Sequence, residues 1–269
     1  MDARAPTRSD EEPVLPTDGR LRWSYSARQV FAFDRKIAQR YRLRLARYAV
    51  LAQDIDSWAG EAARAGRVLS LFDCGCGWGG LVHCLEAEPN FTNLAISASD
   101  RTDQVTHKRD IYREFFVGDL TDGYPEIPSN HYDVVVCEQV LEHLECLDVA
   151  LATLARVVRP GGVLAIGVPI FFPPLHLARK YLVPRVARLI GHPETASHLQ
   201  AFSLFSLRRL LRAYPELRIV KTRGFRIVSG GLLRPLENYA WWWRFNRRLG
   251  ELLPALCIEV QVLLVKSPA

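Results

Sequence analysis

The sequence contains no apolar run of the ~18 residues that a membrane-spanning helix needs. Its first residues, MDARAPTRSDEEP, also lack the apolar stretch of a secretory signal. These two absences argue against a membrane-spanning or secreted protein. They predict a cytoplasmic location for the chain.

Cysteines are few and do not form the spacings of a disulfide framework or a metal module. The six cysteines show no repeated CxxC pairing, and a chain of 269 residues can build a core without disulfides. Cys74, Cys76, His83 and Cys84 lie close along the chain, but their spacing is not that of a zinc module, and two of them fall in a glycine-rich loop. We therefore expect reduced thiols and no metal.

Acidic residues are scarce in the C-terminal half. Between Leu175 and Gly250 there are fifteen Lys or Arg residues against three Glu residues, a local net charge of +12, whereas the whole chain carries a formal +6. Such a block favours anionic partners such as lipid headgroups, phosphorylated intermediates or nucleic acid. A solvated, arginine-rich helical surface is the alternative interpretation.

Composition and periodicity divide the chain into three parts. Residues 1–20 mix Pro, Gly and charged residues without hydrophobic periodicity, which predicts a disordered tail. Residues 21–64 carry apolar residues at helical spacing and are predicted to form a helical extension. Residues 65–269 are predicted to form one domain, with inserts at 170–200 and 230–252 that cover the acceptor side.

Short apolar runs alternate with helical segments after residue 65. This alternation is typical of a parallel sheet with crossover helices, and five such units in about a hundred residues indicate a doubly wound α/β fold. The predicted strands are 67–73, 93–100, 113–119, 132–138 and 161–168, followed by 217–228 and 257–265. The predicted helices between and after them are 79–87, 101–111, 147–158 and 203–214.

A glycine-rich loop, Asp73-Cys-Gly-Cys-Gly-Trp-Gly-Gly80, stands where the first strand ends and a helix begins. Glycines at such a junction let the backbone approach a ligand closely and adopt unusual dihedral angles. The loop alone is also compatible with a dinucleotide site or with a simple chain turn. Its glycines at 75, 77, 79 and 80 do not have the G-x-G-x-x-G spacing of nicotinamide-dependent dehydrogenases.

Four further landmarks follow the loop in order. They are Asp100 at the end of the second strand, Val-Gly-Asp-Leu at 117–120, the run from Tyr132 to the Leu-Glu-His at 141–143, and Arg-Pro-Gly-Gly-Val-Leu at 159–164. With the loop, this series resembles the class I S-adenosylmethionine (SAM)-dependent methyltransferases over about residues 65–170. The resemblance implies a Rossmann-like, seven-stranded, doubly wound sheet, mostly parallel with an antiparallel last strand, and SAM as cofactor.

The resemblance also assigns residues to parts of the cofactor. Asp100 matches the carboxylate that takes both ribose hydroxyls, with Asp103 as an alternative, because the sequence after Asp100 departs from the usual pattern. Asp119 matches the acceptor for the adenine amino group, and the next residue packs on the ring. Asp73 organises the loop, reaches the ligand's ammonium or caps the next helix. The predicted cofactor-binding residues are Asp73, Gly75, Cys76, Gly77, Asp100, Asp119, Leu120 and Glu138.

Three residues are candidates for catalysis. Glu138 ends the fourth strand, at the edge where doubly wound folds bind ligands, and is expected to line the methyl-transfer cleft. His143 follows five residues later, either as a general base or as a structural histidine, and we favour the structural role. His198 precedes the last long helix and is either an acceptor-facing residue or an exposed loop histidine.

The acceptor is expected to be a small molecule, a lipid or a glycan precursor, with a possible peripheral membrane contact through the basic, amphipathic residues 170–190. Cyclopropane fatty acid synthases share the Gly-Cys-Gly-Trp-Gly-Gly loop and a Glu-His after the fourth strand, and remain an alternative. An RNA or protein methyltransferase is permitted by the basic tail, although a nucleic acid partner is not favoured. A non-catalytic SAM-binding protein is the third alternative.

Overall fold

The computed structural model describes most of the region predicted to form the catalytic domain. Its described residues are 46–103, 109–171, 199–227, 233, 236 and 240–268. The predicted tail 1–20, the extension up to residue 45, and the segment 172–198 lie outside the described residues, so the predictions made for them stay predictions.

Seven strands form one sheet in the order β3-β2-β1-β4-β5-β7-β6. β7 is antiparallel to both β5 and β6, and the other recorded pairs are parallel, which confirms the predicted fold class. The strands are β1 (Leu69–Cys74), β2 (Leu94–Asp100), β3 (Glu114–Val117), β4 (Tyr132–Glu138), β5 (Val158–Pro169), β6 (Leu217–Phe225) and β7 (Glu259–Lys266).

The central strands are buried because helices cover both faces of the sheet. Every residue of β4 is buried, as its continuous apolar run predicts for a strand covered on both sides. The described helices are α1 (Ala46–Arg64), α2 (Gly80–Leu85), α3 (Leu147–Val157), α4 (Leu204–Leu211) and α5 (Ala240–Leu252). α1 and α2 pack on one face and α3 and α4 on the other, so two apolar cores flank the sheet.

One predicted helix is wrong in the described residues. Arg101–Asp103 is not helical, and only a short 3₁₀ turn, Arg109–Ile111, follows; residues 104–108 lie outside the described part. The segment 101–111 has only two apolar side chains, too few for a helix face that packs on a core.

The sheet order creates a crevice at the carboxyl ends of the strands. β1 lies between β2 and β4, and the chain continues from β1 to β2 on one side and from β3 back to β4 on the other. The connecting loops therefore diverge at this point, which is where open α/β sheets bind ligands. Cys74, the last residue of β1, pairs in register with Ser99 of β2 and Cys137 of β4.

Candidate active site

A cavity of about 490 Å³ occupies this crevice. Its wall is built from the glycine loop after β1, the ends of β2 and β3, and the segment that leaves β4. This size lies within the range of about 300–1,000 Å³ that is usual for small-molecule sites. The loops predicted from separate sequence landmarks thus meet around one space.

Two glycines of the loop serve different purposes. Gly75 has a φ of +73° and Gly77 a φ of +56°, so both adopt the left-handed conformation that favours glycine. A Cβ at Gly75 would collide with Cγ2 of Val140 from the β4 exit, whereas a Cβ at Gly77 would meet open space. Gly75 therefore allows the close approach of two cavity walls, and Gly77 only the turn of the chain.

The loop amides are tied to β2. The N–H groups of Gly75 and Cys76 both donate to the Ser99 carbonyl, over N to O distances of 2.8 and 3.1 Å. The Gly77 N–H donates to Oδ2 of Asp100 at 2.8 Å. The side chain of Cys76 is buried, and that burial raises the pKa of its thiol. These bonds hold the loop in its turn, and Asp100 takes part while it also lines the cavity.

The structure distinguishes between Asp100 and Asp103, the two candidates for the carboxylate that takes the ribose hydroxyls. Asp100 lies on the cavity wall, whereas Asp103 is half exposed and forms an ion pair with Arg109, with 3.3 Å between Oδ1 and Nε. The position of Asp100 agrees with the first assignment made from the sequence.

Asp73 carries a buried carboxylate near the end of β1, directly before Cys74, which lines the cavity, although Asp73 itself is not part of the described cavity wall. Its side chain is only 2% exposed, and its Oδ2 atom has no hydrogen-bond partner among the described residues. Burial, together with the negative charges of Glu138 and Asp100, raises the pKa of this carboxyl to about 7. Ionisation of a buried carboxyl without a partner costs free energy, and a nearby cation lowers this cost.

Asp119 is an ionised acceptor on the cavity wall. Its Oδ1 accepts from the backbone N–H and the hydroxyl of Thr121, at 2.9 and 2.7 Å, and these bonds lower the pKa of the carboxyl. Its Oδ2 lies 3.4 Å from Nε of the exposed Arg101. The next residue, Leu120, is buried and contributes an apolar surface to the cavity wall.

Glu138 points away from this cavity. Its Oε2 lies 3.0 Å from Nε of Arg47, on α1, and its Oε1 accepts from the side-chain amide of Gln261, on β7. Burial raises the pKa of Glu138 to about 7, although Arg47 and Gln261 counteract it. The sequence predicted that Glu138 lines the methyl-transfer cleft; the described cavity wall does not include it, because the buried Arg47 draws its carboxylate to the α1 face.

His143 does line the cavity, and its side chain is 43% exposed. Its Nε2 lies 3.9 Å from Oε1 of Glu142. Glu142 is fully buried, neither of its carboxylate oxygens has a hydrogen-bond partner among the described residues, and burial raises its pKa to about 7. The arrangement places a buried carboxylate beside a cavity-facing imidazole. His198 lies outside the described residues.

Several residues of the site were not identified from the sequence. Gln139 lines the cavity with a φ of +60°, rare for a residue other than glycine, and its N–H donates to the Gly167 carbonyl at 2.8 Å. Its position directly after the end of β4 was a usable signal. Arg47 carried no such signal, because it meets Glu138 from a distant part of the chain.

The described residues contain neither a metal-binding cluster nor a membrane-spanning helix. No group of three or more His, Cys, Asp and Glu side chains comes together there in a metal-binding arrangement. None of the described helices is both long enough and apolar enough to span a membrane.

Comparison with known proteins agrees with this geometry. Residues 72–166 match the family model described as a methyltransferase domain. The human thiol S-methyltransferase TMT1A is 28% identical over 121 residues, which cover 42% of this chain and 46% of that protein. The chain thus spans about half the length of this curated relative.

Solved structures are similar over more of the chain at low identity. A chain of the complex between the Haloferax volcanii Trm112 methyltransferase activator and a methyltransferase covers 82% of this chain and 98% of its own, with 14% identity and a TM-score of 0.52. A SAM-dependent methyltransferase from Archaeoglobus fulgidus covers 80% and 94%, with 12% identity and a TM-score of 0.45. The first of these supports the fold.

Sheet order, glycine loop and family model together define a class I methyltransferase domain. Residues 72–166 therefore match a methyltransferase domain, as predicted from the sequence landmarks, and S-adenosyl-L-methionine is the cofactor of this class.

Proposed function

We propose that this protein transfers a methyl group from SAM to a small-molecule acceptor. The observation that carries the proposal is the buried carboxylate of Asp73, whose Oδ2 has no hydrogen-bond partner in the described residues. Asp73 directly precedes Cys74 and interacts with the charge of Asp100, and both of these residues line the cavity. A cationic ligand in the cavity would stabilise this carboxylate. SAM bound there would supply a methyl group on a positively charged sulfur together with an ammonium group.

The residues of the cavity fit the remaining parts of the cofactor. Asp100 offers a carboxylate to a diol, since one carboxylate accepts two hydrogen bonds. Asp119 is held ionised by Thr121 and is placed to accept from an exocyclic amine. Leu120 offers an apolar contact for an aromatic ring. The contact between Gly75 and Val140 sets the spacing of the two walls that enclose the ligand.

Glu142 and His143, which follow the end of β4, would assist the transfer. We assign His143 the role of proton acceptor, because its imidazole faces the cavity and is partly exposed. It would take the proton from the acceptor's hydroxyl, thiol or amine as the nucleophile's lone pair forms the bond to the methyl carbon. The bond from that carbon to the donor sulfur would break at the same time, and its electron pair would stay on the sulfur as a neutral thioether. Glu142 would stabilise the resulting imidazolium from its buried position 3.9 Å away. The main task of the cavity is to align the acceptor and exclude water.

Thiols are the first acceptors to test. The curated relative named as a thiol S-methyltransferase matches this chain over 121 residues with 28% identity. A thiol needs less help from a base than an alcohol, because its pKa lies closer to neutral pH. Lipid and glycan-precursor acceptors remain the other arms of the same assay.

Cofactor binding is tested by thermal unfolding. SAM and its demethylated product should raise the melting temperature by binding the folded state, and NADH should not. A melting temperature unchanged by millimolar SAM and by its product would contradict the proposal.

Transfer is tested with methyl-labelled SAM and separate acceptor pools of small thiols, alcohols, amines, glycan precursors, lipid extract and RNA. Label in a small-molecule or lipid fraction supports an enzyme of the proposed class. Binding of SAM without transfer to any pool would favour a non-catalytic SAM-binding protein. Label in RNA alone would refute the small-molecule acceptor.

A further inference from the structure

Exposed apolar side chains are concentrated on α5 and on the segment that follows it. Six large apolar side chains between residues 241 and 258 are exposed to between 44% and 76%. Single exposed apolar residues are common, but a cluster of them marks an interaction surface. The six residues are Trp241, Phe245, Leu252, Leu253, Leu256 and Ile258.

The packing of α5 fixes which side of the helix faces outward. Trp242 and Asn246 are buried, and a Cβ at Gly250 would collide with the backbone of Gly224 on β6. Positions 242, 246 and 250 are four residues apart, so they form one inward stripe along the helix. The close approach at Gly250 leaves α5 no freedom to rotate this stripe away from the sheet.

The outward face therefore presents one continuous row. Trp241, Phe245 and Leu252 recur at the spacing of a single helical face. Trp242 contacts Trp241 and Phe245, with ring centroids 5.5 and 5.6 Å apart, and supports both rings from below. The α5 row, as we name this face, consists of Trp241, Arg244, Phe245, Arg248 and Leu252.

The charges of the α5 row are all positive. Arg244 and Arg248 are exposed between the aromatic and aliphatic members, and there is no Asp or Glu from residue 241 to residue 250. Arg247 is paired with Glu251 at 3.5 Å and lies beside the row. A matching partner must therefore offer both an apolar layer and negative charge along a straight face about three helical turns long.

We propose that the α5 row docks on an anionic phospholipid surface. Aromatic rings and leucines would enter the boundary between headgroups and acyl chains, while the arginines would contact lipid phosphates. Leu253, Leu256 and Ile258, which are also exposed, follow the helix in sequence before the start of β7. This segment differs from the predicted contact at 170–190, most of which lies outside the described residues.

Vesicle binding by the full chain tests this proposal. The protein should sediment with phosphatidylcholine vesicles that contain phosphatidylserine, and less so as salt is raised. The double variant Trp241→Ser/Phe245→Ser should weaken binding about tenfold or more, since it removes two rings that would become buried in the lipid on binding. Arg248→Glu should weaken it through charge alone. Phe205→Ser, which changes a 75% exposed ring on α4, should bind as the parent does.

Four results would overturn the proposal. They are binding that does not depend on phosphatidylserine, an equal loss in Phe205→Ser, a loss caused only by charge reversal within 170–190, and a parent dimer that the Trp241→Ser/Phe245→Ser variant disrupts. The last result would assign the α5 row to a second copy of the chain. The contact lies outside the cavity, so SAM should still raise the melting temperature of every variant, which separates docking from the proposed transfer.

Discussion

Replacement of Asp73 by asparagine is the most direct test of the cofactor site. Asparagine has the same shape as aspartate without its charge, so the packing of this buried side chain is retained. What changes is a carboxylate with an unpartnered oxygen, whose pKa is raised to about 7 by burial and by the charges of Glu138 and Asp100.

The effect on stability follows from the direction of this shift. An acid whose pKa is higher in the folded than in the unfolded protein holds its proton longer when folded, so its ionisation destabilises the fold. Without cofactor, the Asp73 contribution therefore declines as the pH rises from about 3.8 to about 7. At pH 8 the cost is at most about 4 kcal/mol, taking about 1.36 kcal/mol per tenfold change in proton affinity. Asp73→Asn should be more stable than the parent at pH 8, by up to this amount, and differ little near pH 4.

The effect on SAM affinity has the opposite sign. Loss of a hydrogen bond to a charged partner costs about 1.5–3 kcal/mol, or roughly 10- to 150-fold in Kd. Parent affinity should also rise with pH through about 7 as Asp73 ionises, and the variant should lose that dependence. Calorimetric titration and urea unfolding of both proteins measure the two effects. Asp103→Asn, an exposed change just beyond β2, is the matched control. Unchanged SAM affinity in Asp73→Asn, or a loss of stability at pH 8, would refute the reasoning.

The other predictions concern the two walls of the cavity. Gly75→Ala should destabilise the protein by about 2–4 kcal/mol, since its Cβ collides with Val140 at positive φ, whereas Gly77→Ala should cost only about 1–2 kcal/mol for its backbone conformation. Adding Val140→Ala should restore part of the first loss alone; equal losses at the two glycines in urea unfolding would contradict this. Glu142→Gln should raise stability at pH 8 by at most about 3 kcal/mol, because burial raises the pKa of Glu142 from 4.5 to about 7, and lower stability would contradict the unpartnered carboxylate. His143→Ala should keep SAM affinity and melting temperature but lower kcat about 10²- to 10⁴-fold; a lower melting temperature with normal turnover would assign a structural role.

The secondary structure could be predicted where a local pattern is sufficient. β4 is a seven-residue run in which every side chain is buried, and its predicted and observed bounds are the same. The helix predicted at 101–111 was wrong in its described parts, because the segment follows a strand where helices usually begin but has almost no apolar face. The alternation of strands and helices along the chain is therefore weaker evidence for a helix than apolar side chains at helical spacing.

The individual roles of the site residues depended on contacts that sequence distance hides. The sequence identified Asp100 and Asp119 because each ends a predicted strand within the series of landmarks, and both line the cavity. It placed Glu138 there by the same reasoning. The direction of the Glu138 side chain, however, is decided by the ion pair with Arg47, whose position comes from the packing of α1 on the sheet.

By itself, the sequence determined the α/β fold and the edge of the sheet that holds the site, because these follow from strand periodicity and from glycines at a strand end. The class of domain followed from the resemblance of the ordered landmarks to a known family. Tertiary structure alone decided that the buried Oδ2 of Asp73 has no hydrogen-bond partner among the described residues, that Glu142 lies buried beside His143, and that α5 turns Trp241 and Phe245 outward. The physical reason is that burial, pKa and exposure depend on which distant side chains share a space, whereas periodicity reports only neighbours along the chain.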